Sequence, residues 1–226
     1  LLADQPLMRN VLADLAVESE AATVLAMRLA GAVDRAATGA WASGRRGEPG
    51  NGGEPAFQRL AIAAGKYWVC KRQPAVVGEA LECLGGNGYV EESGLPRLYR
   101  DAPLNSIWEG SGNVQALDVL RTLRREPDSR DAYLAEVRLA AGADRRLDTA
   151  IAEVTALLAE ADEGQARRVA ERVALVLQGS LLVRHAPAAT ADAFCATRLA
   201  RDHGQAFGTL PRGTDTEALI RRAAPQ

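Results

Sequence analysis

Apolar side chains recur every three to four positions along most of this chain, which is the spacing of one face of an α-helix. Near the N-terminus, Leu7, Val11 and Leu15 follow this spacing. The pattern predicts one long helix that extends to about Trp41. The next stretch, residues 43–55, concentrates glycine, proline and charge, so we expect a mobile loop there.

Helical spacing resumes near Ala56 and continues to the glycine-rich residues 85–89, with Pro74 as a predicted kink or irregular turn. A third helix is predicted from about Val114 to about Arg125, because a proline and an aspartate follow shortly afterwards. We expect a domain boundary directly after this third helix.

The rest of the chain is also predicted to be helical. Residues 147–158 and 169–177 each carry a clean apolar stripe, and shorter helices are predicted over residues 187–203 and 214–223. No stretch alternates strictly between apolar and polar residues, so we expect almost no sheet.

The predicted fold class is therefore all-α, with a helical bundle over residues 1–126 and an additional helical region over residues 127–226. The 226 residues, 47% of them hydrophobic and 25% charged, can bury a sizeable core. The formal charge of −2 gives no general attraction to nucleic acid. Even the additional region has 13 arginines and no lysine against 14 acidic residues, which leaves one net negative charge.

The cysteines predict neither a disulfide framework nor a zinc site. Cys70, Cys83 and Cys195 are an odd number and show no Cys-x-x-Cys spacing, which is typical of a reducing, cytoplasmic location. His185 and His203 have no second ligand at helical spacing, so no metal site is predicted. No apolar run approaches the roughly 20 residues needed to cross a bilayer.

Two glycine-rich turns lie at predicted helix boundaries. The first, "GGNGY" at residues 85–89, is most simply a helix stop. The second, "EGSGN", places Ser111 and Asn113 where a helix begins, with N–H groups available to a polar ligand. Glu109 precedes them, next to Trp108. It either complements the positive end of the helix or acts as a poised base, and spacing alone leaves both open.

The stretch "ECLGGNGYVEESGLPRLYRDAPLNSIWEGSGNVQALDVLR" resembles the C-terminal helical domain of the flavin-dependent acyl-CoA dehydrogenases. That family has a G-G-x-G-Y turn, an L-x-R-D-A segment and an aromatic-Glu-Gly-Thr/Ser element in this order. The opening helix, the tryptophan in "IWEGSGN" and the additional C-terminal region resemble most its alkylation-response (AidB-type) branch.

The resemblance implies a role for each matching residue. Glu109 matches the catalytic base that removes the α-proton of an acyl-CoA thioester, and Trp108 matches an aromatic wall of the substrate slot. Ser111 and Asn113 match positions at the adenine end of FAD. Gly85 and Gly86 match the turn that approaches the FAD pyrophosphate of a neighbouring subunit. Glu82 departs from the pattern, because many members have a glutamine there.

The resemblance also implies partners. These are an acyl-CoA substrate, a homotetramer or homodimer, and an electron-transfer flavoprotein as electron acceptor. The family's N-terminal and middle β domains have no counterpart in this chain. We therefore expect the C-terminal portion of a larger flavoenzyme, which does not form a complete FAD site alone.

Two alternatives stay open. The AidB-type branch is associated with DNA binding through its additional region, and a weak or vestigial dehydrogenase activity would then accompany it. The additional region contains three arginine clusters: Arg145 with Arg146, Arg167 with Arg168 and Arg172, and Arg221 with Arg222. They could follow the phosphate backbone of DNA, or they could simply be solvated helix faces. The other alternative is a domain that only assembles subunits.

Overall fold

The computed structural model describes residues 1–38 and 53–224, and all the regular structure in these ranges is helical. This confirms the predicted all-α fold class. The helices of the first part are α1 (Pro6–Thr38), α2 (Glu54–Glu82), α3 (Gly86–Tyr89), α4 (Leu95–Asp101) and α5 (Gly112–Arg125). Those that follow are α6 (Pro127–Val137), α7 (Arg145–Glu160), α8 (Ala166–His185), α9 (Ala188–Phe194) and α10 (Thr216–Ala223).

α1 and α2 are the longest helices of the described ranges, and they contain the apolar spacing predicted for the first part of the chain. The segment 39–52, which holds Trp41 and most of the predicted loop, lies outside the described residues. The loop prediction was wrong at its end, because Glu54 and Pro55 already belong to α2. A proline in the first helical turn loses nothing, since its missing N–H would have had no helical partner. Pro74 lies inside α2, which continues on both sides of it.

The structure corrects two further helix predictions. α5 ends at Arg125 as predicted, but Pro127 starts α6 instead of leading into a connection, because proline also suits a first helical position. The helix predicted over residues 187–203 is only α9, followed by a widened π-helical turn, Cys195–Leu199, so His203 lies outside it. The wider turn shows in the bond from the Ala200 N–H to the Cys195 carbonyl oxygen, at 2.9 Å.

A single cluster of buried apolar side chains runs through the described ranges. It includes Leu25, Leu60 and Val119 from the first part and Leu147 and Leu177 from the second. α8 is buried on almost every side from residue 169 to 182, as expected of a helix surrounded by others. The core is therefore continuous across residue 126, and the division of the chain there stays a proposal.

The C-terminal segment is fastened to α1 by polar contacts. The Asn10 side chain accepts from the Leu210 N–H at 3.0 Å and donates to the Leu210 carbonyl oxygen at 3.1 Å. The Gly208 N–H donates to Asp14 at 2.9 Å. α10 adds an ion pair between Arg222 and Glu20 at 2.8 Å. In the described ranges, none of the helices combines the length and the apolar character needed to cross a membrane.

Candidate active site

Glu109 lies on a turn between α4 and α5, and its backbone adopts the left-handed conformation. Its φ is 51°, and that of Gly110 is 98°. A left-handed conformation costs a non-glycine residue about 1–2 kcal/mol, so neighbouring contacts must hold it. The turn leaves the Glu109 side chain exposed. Within the described ranges neither the carboxylate nor the N–H of Glu109 has a hydrogen-bond partner.

Side chains from α2 and α5 hold this turn through three successive carbonyl groups. The Lys66 ammonium donates to the carbonyl oxygens of Trp108 and, at 2.7 Å, of Gly110. The Gln115 amide donates to the carbonyl oxygen between them, that of Glu109, at 3.0 Å. The backbone on either side of the Glu109 Cα is thus fixed while its carboxylate stays free.

The neighbouring Trp108 is oriented through a short chain of hydrogen bonds. Its indole N–H donates to Asn105 at 3.1 Å, and the Asn105 amide donates to Gln73 of α2 at 2.7 Å. The indole ring is 56% exposed, so its apolar surface is available to a ligand or to another part of the protein.

A cavity of about 490 Å³ brings Glu109 and Trp108 together. Its volume is within the usual range for small-molecule sites. Asn105 also lines it, and α1, α2 and α8 supply the other walls, namely Glu18, Ser19, Ala22, Thr23, Lys66, Trp68, Val69, Cys70, Arg72, Gln73, Val76 and Gln178. Burial raises the pKa of the Cys70 thiol in spite of the nearby Lys66 charge, so this sulfur stays protonated and unreactive.

Ser111 and Asn113 lie next to Glu109, at the start of α5. The Ser111 side chain makes no capping hydrogen bond, which leaves N–H groups of the first turn without a side-chain partner. The Asn113 side-chain oxygen accepts from Arg167 of α8 at 2.8 Å. This position, predicted to contact FAD, is thus also tied to the additional helical region.

Gly85 and Gly86 are not brought close to Glu109. They follow the end of α2, and Glu82 lies 16 positions after Lys66, which corresponds to about 24 Å of helix. A Cβ on either glycine would meet nothing within 4 Å, so a ligand can approach this backbone. Gly88 differs, since a Cβ there would lie 2.1 Å from the Leu81 carbonyl oxygen.

The same part of the molecule exposes many large apolar side chains. They are concentrated between residues 84 and 117 and include Leu84, Tyr89, Val90, Leu98, Tyr99, Leu104, Ile107, Trp108 and Val114. Apolar surface gathered in this way marks a face that other protein surface commonly covers.

Sequence reasoning missed the residues that hold the turn, above all Lys66 and Gln115. Nothing in a helical stretch such as "AIAAGKYWVC" indicates that its lysine reaches a turn 42 residues away. Gln178 was also missed. It is a polar residue within an apolar run, it is 2% exposed, and its side-chain oxygen has no hydrogen-bond partner in the described part of the chain. Nor do the described residues include three or more His, Cys, Asp or Glu side chains placed to hold a metal ion.

The fold and the site together define a class of protein. It is a helical domain that presents an unpaired carboxylate, that of Glu109, on a braced turn in the wall of a cavity. A model of the acyl-CoA dehydrogenase C-terminal domain matches residues 1–124, and the chain belongs to the acyl-CoA dehydrogenase family.

Individual relatives agree with this assignment. The chain is 39% identical over 198 residues to a putative acyl-CoA dehydrogenase, AidB, of Escherichia coli, which covers 88% of this chain and 34% of that protein. It is 32% identical over 154 residues to acyl-CoA dehydrogenase family member 11 of Caenorhabditis elegans, covering 59% of this chain and 25% of that protein. The chain thus spans about a third or less of the length of these relatives.

Two solved structures have the same fold. ACDH-11 of Caenorhabditis elegans, in complex with C11-CoA, superposes with a TM-score of 0.72 at 25% identity, over 99% of this chain and 37% of that one. The apo form of Bd2924 gives a TM-score of 0.66 at 25% identity, over 87% of this chain and 35% of that one.

Proposed function

We propose that this chain is the C-terminal portion of an FAD-dependent acyl-CoA dehydrogenase-like oxidoreductase in which Glu109 removes the α-proton of an acyl-CoA thioester. The observation that carries the proposal is the free carboxylate of Glu109 on a turn fixed through three carbonyl groups. A residue that only complemented the start of α5 would not require this bracing. Its position in the wall of a cavity, beside Trp108, adds support.

The chain's own residues supply the proton-transfer half of the reaction. The Glu109 carboxylate accepts the α-proton, and its backbone N–H is free to donate to the thioester carbonyl oxygen, which makes that proton more acidic. Trp108 provides an apolar wall for the acyl group. Lys66 and Gln115 keep the base in place by holding the carbonyl groups around it.

The residues proposed for FAD fit that group. Gly85 and Gly86 present open backbone, and α5 begins with N–H groups that Ser111 does not cap. Both features suit phosphate and other polar groups of a dinucleotide. When bound, the flavin supplies the acceptor for the hydride that leaves the β-carbon.

The arrangement also supports assembly into a homodimer or homotetramer. Because Gly85 and Gly86 lie about 24 Å along α2 from the bracing Lys66, one FAD need not meet both regions of a single chain. The exposed apolar side chains of residues 84–117 provide surface for such a contact. An electron-transfer flavoprotein is the proposed acceptor of the electrons.

The decisive test uses the intact protein, meaning the flavin-loaded polypeptide that carries this chain. We expect straight or branched acyl-CoAs, added without oxygen, to bleach the flavin absorbance, and Glu109→Gln to abolish the bleaching while flavin stays bound. The matched control is Glu92→Gln, an exposed glutamate without an ion-pair partner in the described residues, which should bleach normally. Equal bleaching in both variants would refute a role for Glu109 as the base.

DNA binding by the additional region is the alternative function, and the arginine clusters are its basis. Each cluster has a member in an ion pair within the molecule: Arg146 with Asp144, Arg172 with Glu153, and Arg222 with Glu20. Arg167 also donates to Asn113. Arg145, Arg168 and Arg221 are exposed and have no such partner among the described residues. Salt-sensitive binding of duplex DNA by the intact protein, lost when these three are changed to glutamine, would establish this function.

A further inference from the structure

A second cavity, of about 610 Å³, lies where α1 and α2 face α8 and the segment that follows α9. Five arginines line it, namely Arg72, Arg168, Arg172, Arg198 and Arg201, together with the carboxylates Asp14 and Glu171. In a chain whose formal charge is −2, this is a local excess of positive charge. Two further carboxylates, Glu18 and Glu153, do not line the cavity but form ion pairs with these arginines. The five arginines still outnumber the four carboxylates.

The inner wall is a fixed, compensated network. Arg198, 8% exposed, donates to Asp14 at 2.5 Å and to Glu18 at 3.0 Å. Arg72 donates to the same Glu18 at 2.9 Å, and its guanidinium lies 4.9 Å from the centre of the Phe207 ring. Two arginines and two carboxylates thus satisfy one another and give the cavity a rigid floor.

The three outer arginines, Arg168, Arg172 and Arg201, are compensated less completely, by Glu153 and by the charge of Glu171. Arg172, 7% exposed, pairs with Glu153 at 2.9 Å, and Arg201 reaches the same carboxylate only at 3.8 Å. Arg168 has no ion-pair partner in the described part of the chain. Burial, together with the positive charge of Arg201, holds the pKa of Arg172 below its usual value in spite of Glu153. An anion between these guanidinium groups would remove the repulsion.

The backbone that presents these arginines is irregular. Arg198 lies in the π-helical turn Cys195–Leu199, and Arg201 has a φ of 63°. Among the non-glycine residues of the described ranges, only Glu109 and Arg201 have a positive φ. Strained backbone conformations and π-helical turns are frequent at functional sites, including sites that bind ligands. The bond from Gly208 to Asp14 fixes the far side of the same segment.

We propose that this cavity binds a small phosphate ester of about nucleotide size. Guanidinium groups match phosphate oxygens in pairs, and several of them around one anion give strong, charge-assisted hydrogen bonds. The volume exceeds that of a single phosphate and is typical of small-molecule sites. The site combines residues of the family-matched part with residues of the additional region, and it lies on the other side of Trp68 and Arg72 from the Glu109 cavity.

Calorimetric titration of the intact, flavin-loaded protein with ADP and with inorganic pyrophosphate tests the proposal. Bound flavin keeps these probes out of the dinucleotide site. We expect Arg201→Gly to weaken binding at least about tenfold, because a charge-assisted contact is lost. Glycine accepts a positive φ, so this variant should unfold at the same or a higher temperature. Arg172→Gln is the second variant, and the exposed Arg130→Gln, outside the cavity, is the charge-matched control.

Weakened binding in both cavity variants with normal binding in the control would support the proposal. Free CoA as a competitor then distinguishes the source of the phosphate: displacement indicates the phosphoadenosine end of CoA, and no displacement indicates a free nucleotide-like ester. Absence of binding, or equal affinity in all variants, would overturn the proposal. Displacement of the probes by duplex DNA would overturn it too, and would assign these arginines to DNA.

Discussion

At the scale of single residues, Lys66 holds the turn of the candidate base through the carbonyl groups of Trp108 and Gly110. We predict that Lys66→Met lowers kcat for the best acyl-CoA about 10- to 100-fold with little change in KM, because the turn that positions Glu109 loses both hydrogen bonds from Lys66 and keeps only those from Gln115. Anaerobic steady-state kinetics with an artificial electron acceptor measure both constants.

Arg97→Met is the control for this prediction, since Arg97 is an exposed cation of α4 without a partner in the described residues. Its kinetics should be normal. The flavin content of Lys66→Met should also equal that of the unchanged protein. An unchanged kcat, or a loss of flavin that accounts for the whole decrease, would contradict a positioning role.

Substitutions at Gly86 and Gly88 distinguish an effect on ligand binding from an effect on packing. Gly88→Ala would place a Cβ against the Leu81 carbonyl oxygen, so the free energy of unfolding should fall by about 2 kcal/mol or more. Gly86→Ala meets no atom within 4 Å and should leave stability unchanged while weakening FAD retention. Thermal unfolding and the flavin-to-protein absorbance ratio measure the two effects. Equal flavin retention in Gly86→Ala and the unchanged protein would argue against the proposed contact.

The sequence identifies some of these residues and not others for a physical reason. Glu109, Trp108 and Ser111 lie within four residues of each other, so a local motif describes them. Lys66 meets the turn only after the chain has folded through two further helices, and Gln178 reaches the same cavity from α8. Local patterns carry no information about such distant contacts.

At the scale of elements, four helices meet at a partly buried ion network. Glu136 of α6 accepts from Arg28 of α1 at 2.7 Å and from Arg184 of α8 at 2.6 Å, and Arg28 also donates to Glu54 of α2 at 3.0 Å. Burial alone would raise the pKa of Glu136, but the bonds to Arg28 and Arg184 outweigh it and hold this pKa below its ordinary value.

We predict that Glu136→Gln lowers the free energy of unfolding by about 3 kcal/mol at pH 7, because two partly buried arginines lose their shared partner. A lowered carboxyl pKa stabilises the folded state above the ordinary value of about 4.3, and this contribution is lost as pH falls through the folded-state pKa. The difference between the variant and the unchanged protein should therefore shrink below about pH 4. Urea unfolding at pH 7 and pH 4 measures it.

Asp131→Asn provides the comparison, since Asp131 is 63% exposed and, among the described residues, pairs only with its neighbour Arg130. Its effect should stay below about 1 kcal/mol at both pH values. If Glu136→Gln lowers the free energy of unfolding at pH 7 by no more than Asp131→Asn does, the network does not stabilise the fold and contributes only to the specificity of helix packing.

Element by element, the apolar spacing located α1, α2, α5, α7 and α8, because each buries one clear face or, in α8, nearly all of its surface. It failed at α6, where a proline that could stop one helix begins another. It failed again after α9, where one extra residue per turn forms the π-helical segment. Periodicity does not distinguish these cases, since both depend on which bonds the surrounding structure completes.

At the scale of the whole molecule, periodicity shows that a helix buries a face but not which helix covers it. Residues 1–126 and 127–226 were therefore predicted as separate parts. One buried cluster contains side chains of both parts, among them Val119 of α5 and Val173 of α8, and α8 lies against α1, α2 and α5.

This continuity leads to a prediction about truncation. A protein that ends after Glu126 would leave Leu60, Val119 and their neighbours exposed to water at about 25 cal/mol for each Å² of apolar surface, a loss that a domain with a few kcal/mol of stability cannot absorb. We expect this truncation to aggregate, or to unfold without a sharp transition. Ending the chain after Pro211 removes only α10 and its contacts with α1, so that protein should stay folded with a lower thermal midpoint. Soluble yield and calorimetric unfolding of both truncations decide the question. A sharp, cooperative transition for the protein ending at Glu126 would contradict this prediction. It would mean that the helical bundle of residues 1–126 folds as an independent domain and that its core does not need the additional region.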